Sequence, residues 1–149
     1  MTIRALAACA AACVAIAVEC TYAAAPQSPR ELLAALMKAD NAGDLAAVIA
    51  LYAADAVLLP PNEATVRGKD AIRARYARMF ATTRMTVRFE IDDDGVDGST
   101  GFIRGRTIGT RAPTDGARVE DLTGKFVMLL ARDSGGAWTI RSLIWNADR

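Results

Sequence analysis

Histidine is missing from all 149 residues. Its absence removes Ser-His-Asp and Cys-His nucleophile chemistry and the commonest general base at neutral pH. The three cysteines, Cys9, Cys13 and Cys20, all lie close to the N-terminus. Beyond them there is no thiol for a disulfide staple and no nitrogen or sulfur donor for a zinc site. Neither sign of charge prevails, with 18 Lys and Arg against 17 Asp and Glu. Nothing global therefore points to nucleic acid. Any catalysis has to use carboxylates, Tyr or Lys with shifted pKa values, or positioning alone.

Long apolar runs are scarce too. The uncharged stretch Ala5 to Val18 is too short to span a bilayer. It follows Arg4 and precedes the small-residue sites Thr21-Tyr22-Ala23 and Ala23-Ala24-Ala25. This is the pattern of a secretory signal peptide, read here as residues 1–25, with cleavage favoured at Ala23 because Pro26 would hinder a cut at Ala25. Lipid anchoring at Cys13 or Cys20 is the weaker reading, so no stable membrane anchor is expected. The mature protein, secreted or periplasmic, is then one domain over 26–149, and about 125 residues suffice for a single core without staples.

Along that domain the punctuation is clear. Ser28-Pro29-Arg30-Glu31 reads as a capping box opening a helix whose apolar face is Leu32, Leu33, Leu36 and Met37. Asn41-Ala42-Gly43 stops it. Asp44 caps a second helix that buries Leu45, Val48, Leu51 and Tyr52. A short apolar strand runs into Pro60-Pro61, and a third helix starts near Gly68-Lys69-Asp70, burying Ile72, Tyr76, Met79 and Phe80. From Met85 the pattern turns to strands, with turns at Asp97-Gly98, Asp115-Gly116 and Ser134-Gly135-Gly136. Three helices followed by a four-stranded antiparallel meander is an α+β plan.

Three features carry two readings each. Gly101, Ile103, Gly105, Thr107 and Gly109 give one strand face almost no side-chain volume, which suits either a tightly packed helix or space left for a cavity. Arg67, Lys69, Arg73, Arg75, Arg78, Arg84 and Arg88 stand against a single acid, Asp70. A solvated face is preferred there over an anion or membrane patch. Asp92-Asp93-Asp94-Gly95 hints at calcium but lacks the Glu that closes an EF-hand ring, so a strand bend is preferred.

The stretch from Asn41 to Phe80 resembles the nuclear transport factor 2-like superfamily in its SnoaL-like branch. So does the ending, in which the Gly124-Lys125 strand is followed by Trp138-Thr139-Ile140-Arg141 and Ile144-Trp145-Asn146. The resemblance implies a cone-shaped, cystatin-like α+β fold with three N-terminal helices packed on a curved antiparallel sheet. This superfold hosts isomerases, dehydratases, cyclases and binders alike. In the related ketosteroid isomerases a helix-one Tyr, an Asp before a Pro and a later acid carry the reaction. Here those positions fall on Leu36, on Pro60 (with Pro61 as the family Pro) and on the apolar Phe126 to Leu129 segment. Tyr52, Tyr76 and Trp145 match supporting residues of that pocket.

The resemblance thus implies a pocket wall of Leu36, Tyr52, Pro60, Tyr76, Phe80 and Trp145, with Lys125 and Asn146 as nearby polar groups. The expected role is binding of a small hydrophobic or aromatic molecule, with no cofactor, no metal and no nucleic acid. An enzyme of isomerase, cyclase or hydrolase type using other pocket residues is one alternative. A dimeric interaction module is another. Phe126 to Ala131 is apolar on both faces, which suits a sheet covered on its second face by another copy in a homodimer.

Overall fold

The computed structural model describes residues 24–148. The segment read as a signal peptide lies outside the described residues except for Ala24 and Ala25. Helix α1 (Pro29–Ala42) begins where Ser28 accepts a hydrogen bond from the Glu31 N–H at 3.2 Å. The Glu31 carboxylate reaches back to the Gln27 N–H at 2.8 Å, one residue earlier than in the usual box. The helix ends where Gly43 turns left-handed at φ 64, a conformation that costs glycine no Cβ clash. Asp44 then caps α2 (Leu45–Ala50) by accepting from Ala47 N–H.

Helix α2 is shorter than its periodicity suggests. Tyr52 is the first residue of strand β1 (Tyr52–Leu59), not the last of the helix. β-branched and apolar residues along β1 favour extension, and Ile140 donates its N–H to Leu51 O at 2.8 Å, which holds the chain straight there. A short β2 (Val66–Arg67) and α3 (Lys69–Thr82) follow. The meander is β3 (Thr83–Asp97), β4 (Thr100–Pro113), β5 (Glu120–Arg132) and β6 (Trp138–Ala147).

These six strands form one sheet in the order β2-β1-β6-β5-β4-β3. The meander is antiparallel, as expected, but β1 runs parallel to β6, so the sheet is mixed. The helices cover its inner face, and a single core includes Leu32, Leu36, Val48, Ile72, Met128 and Ile140. Asp92 is a bulge, where the register with β4 shifts between Ile91 and Asp93. The acidic triplet is thus a strand bend. Among the described residues no cluster of three or more potential metal ligands exists, and no helix is long and apolar enough to cross a membrane.

The glycines of β4 have a cause outside both sequence readings. A Cβ on Gly105 would come within 2.0 Å of Glu90 O, and one on Gly109 equally close to Thr86 O. The backbone of neighbouring β3 fills that space because the sheet coils sharply. At Gly101 the Trp138 ring lies beneath, 3.3 Å from the Cβ position.

The outer face is uneven. Register places Val57, Ser142, Leu129 and Phe102 in one row and Leu59, Ile144, Val127 and Arg104 in the next. Leu129 is 51% exposed and Ile144 47%. A groove of about 720 Å³ on this face is lined by residues including Asp55, Val57, Phe102, Leu129, Arg141 and Ser142.

Candidate functional site

Helix α1 presents Leu32, Leu36 and Asp40 on one buried stripe, four residues apart. The last is a carboxylic acid that is only 5% exposed, and its Oδ1 has no hydrogen-bond partner among the described residues. Burial pushes Asp40 up to about 7. The C-terminal end of a helix dipole, where Asp40 sits, also disfavours a negative charge.

Asp40 does not sit in a purely hydrocarbon interior. Tyr52 from β1 and Tyr76 from α3 meet through their hydroxyls at 3.0 Å, both fully buried. Burial raises both phenols, and the nearby Asp40 charge raises them further. All three groups are therefore close enough to feel one another. Of the two phenolic protons, one serves the Tyr–Tyr bond and the other remains to donate. The interior thus holds a spare donor and a buried acceptor, flanked by Leu36, Ile72 and the Phe80 ring, whose centroid is 5.6 Å from that of Tyr76.

The neighbouring Asn41 fixes where Asp40 stands. Its side-chain amide donates to Val87 O at 2.9 Å and accepts from Val87 N–H at 2.6 Å. It therefore pairs with β3 as a short strand would, and pins the end of α1 to the sheet.

Phe126 and Trp145 stand opposite each other on β5 and β6, facing the helices. There Phe89 meets Phe126 edge-on at 5.3 Å, and the Arg75 guanidinium lies 5.2 Å from the Trp145 ring centroid. Arg75 also bonds Glu63 through two nitrogens, at 3.0 and 2.7 Å.

Five of the eight residues expected at the pocket, Leu36, Tyr52, Tyr76, Phe80 and Trp145, belong to this core or pack against it, and Pro60 is buried where β1 ends. Leu36, Tyr52, Pro60 and Tyr76 are buried, and Phe80 and Trp145 are half-buried. Lys125 and Asn146 are placed elsewhere. Both are exposed, Lys125 pairs with Asp148, and both lie on the outer face that β5 shares with Val127 and Leu129. The period-two alternation from Phe126 decides this, since Phe126 and Lys125 must point oppositely. Asp40 and Arg75 were not singled out from the sequence. For Asp40 the signal was present in its spacing of four from Leu36. For Arg75 it was hidden within a run of like charges.

A model of the SnoaL-like domain family matches residues 33–139. Among solved structures, a ketosteroid isomerase-like protein from Erwinia carotovora atroseptica is 26% identical with TM-score 0.75, covering 80% of this chain and 93% of that one. A nuclear transport factor 2-like superfamily protein from Salmonella enterica is 15% identical with TM-score 0.70, covering 80% and 87%. A cystatin-like fold protein from Novosphingobium aromaticivorans is 18% identical with TM-score 0.62, covering 79% and 78%. No curated protein matches the chain.

Proposed function

The chain belongs to the SnoaL-like domain family, and from that membership we propose that its cone interior receives a small, mostly apolar molecule carrying one oxygen function. The observation that carries this reading is the buried Asp40 oxygen without a partner in the same interior as the buried Tyr52–Tyr76 hydroxyl pair, both of whose pKa values its charge raises. An unpaired buried acceptor costs about 1–3 kcal/mol. A hydroxyl-bearing ligand relieves that cost by donating to Asp40. A carbonyl-bearing ligand takes the spare phenolic proton. The surrounding wall of Leu36, Ile72, Phe80 and Trp145 supplies apolar contact. Entry requires Phe80 and Trp145 to move aside, and both are half-buried.

The position of Asp40 also favours turnover as a second reading. As a carboxylate, Asp40 takes a proton from the carbon next to a ligand carbonyl while a phenol donates to the developing enolate oxygen. Return of that proton to the same or a conjugated carbon completes an isomerisation. A carboxyl poised near 7 is ready for both halves.

Calorimetric titration with 2-acetylnaphthalene and with its hydrocarbon analogue 2-ethylnaphthalene tests the first reading. The ketone is expected to bind about tenfold tighter, and the double variant Tyr52→Phe, Tyr76→Phe, which leaves no phenolic proton, to remove the difference. Absence of saturable binding by either compound sinks the proposal. Incorporation of deuterium beside the carbonyl in heavy water, lost in Asp40→Asn, supports turnover; its absence leaves a binder.

A further inference from the structure

The rim of the cone holds an internal anion on a cation. Residues 60–65 link β1 to β2, leaving β1 beside Ile144, the residue before Trp145. Within this loop Asn62 takes a left-handed conformation at φ 59, which Asn tolerates. The turn brings the Glu63 carboxylate back to α3. There it forms a two-point bond with Arg75 Nε and Nη2, the fork geometry in which guanidinium recognises any carboxylate.

The two partners differ in setting. The Arg75 side chain is 14% exposed, whereas that of Glu63 is 51% exposed. Arg75 is held in place against Trp145, while Glu63 comes from a surface loop. The cation is thus the fixed part of the site and the anion the replaceable one. Burial holds the Tyr52 and Tyr76 phenols above their ordinary range, and the Arg75 charge offsets a small part of that rise. A second observation points to an anion. Glu63 is held below its ordinary carboxylate range first by its hydrogen bond to Arg75, and Arg78 adds a second positive charge in the same direction. Such a field draws anions towards the rim.

We propose that the ligand of this site is a flat aromatic carboxylic acid, whose carboxylate displaces Glu63 from Arg75 while its ring lies along Trp145 towards the Tyr52–Tyr76 pair. This rests on the cone interior being the binding site. Glu63 then acts as a resident competitor that keeps the rim closed when no acid is present.

The test uses 2-naphthoate and its neutral methyl ester, titrated calorimetrically into the native protein and into Glu63→Gln and Arg75→Met. The acid is expected to bind Glu63→Gln about tenfold tighter than the native protein, because the internal competitor is gone. The ester should differ by less than about twofold between the two. Arg75→Met should abolish the acid's advantage while keeping ester binding, which also shows that it remains folded. Raising the salt should weaken the acid alone. Ester binding without preference for the acid, or acid binding unchanged in both variants, overturns the inference and leaves the cone as an apolar site. Failure of both compounds to bind overturns this inference and the broader reading together.

Discussion

Asp40 sets how the folded protein responds to pH. Its pKa is about 7 in the fold against an ordinary value of 3.8. The folded chain therefore holds this proton more tightly than the unfolded chain does. The resulting stability is complete below about pH 4 and is lost as pH rises through 7. Three pKa units correspond to at most about 4 kcal/mol. Asp40→Asn removes the titration, so the native protein should lose stability relative to this variant between pH 5 and 8. Urea midpoints of both proteins at those two pH values check this, and parallel trends would refute it. The stripe Leu32, Leu36, Asp40 is readable from sequence, yet an acid near a helix end ordinarily reads as the end of the apolar face. Only the burial of the Asp40 side chain in the fold distinguishes the two cases.

Among elements, the helices were the most legible, because their ends depend on local chemistry. Ser28, Asp44 and Gly43 each act within a few residues of where they stand. The hairpin turns and the Asp92 bend were legible for the same reason. The position of β1 was not, since nothing in Tyr52–Leu59 states which strand it will join. The glycines of β4 were visible, but their cause lies in the curvature of the neighbouring strand. That cause makes a graded prediction. Gly105→Ala should cost about 1–3 kcal/mol or more, because backbone has to shift. Gly101→Ala, which meets the Trp138 ring at 3.3 Å and Gly95 O at 3.0 Å, should cost less. Thermal melts of the two variants decide the order, and an equal loss would mean that β3 yields freely.

For the whole molecule, the outer face invites a partner. Leu59, Val127, Leu129 and Ile144 form a contiguous exposed apolar band across three strands. We expect a second copy to cover it in a twofold homodimer, since matching apolar bands satisfy such symmetry. Light scattering at micromolar concentration should give twice the monomer mass, and Leu129→Arg should halve it while leaving circular dichroism unchanged. A native monomer would refute this. Export is a second expectation at this scale. Intact-mass measurement on the exported chain should find its start at Ala24, Ala25 or Pro26, and a chain retaining Tyr22 would refute it.

The parallel pairing of β1 with β6 has a temporal consequence. Pro26 O receives the Trp138 N–H, Leu51 O receives the Ile140 N–H, and Tyr52 faces Ile140 across the ladder. The earliest described residues are thus completed by the last described strand. Contacts between such distant parts of a chain form slowly, because loop closure precedes any gain. A nascent chain that has not yet made β6 has its helices, its first hairpin and β2 beside β1, but no partner for the other edge of β1. The fold therefore closes only once β6 has been made, and until then the chain stays open enough to be threaded, cleaved or captured.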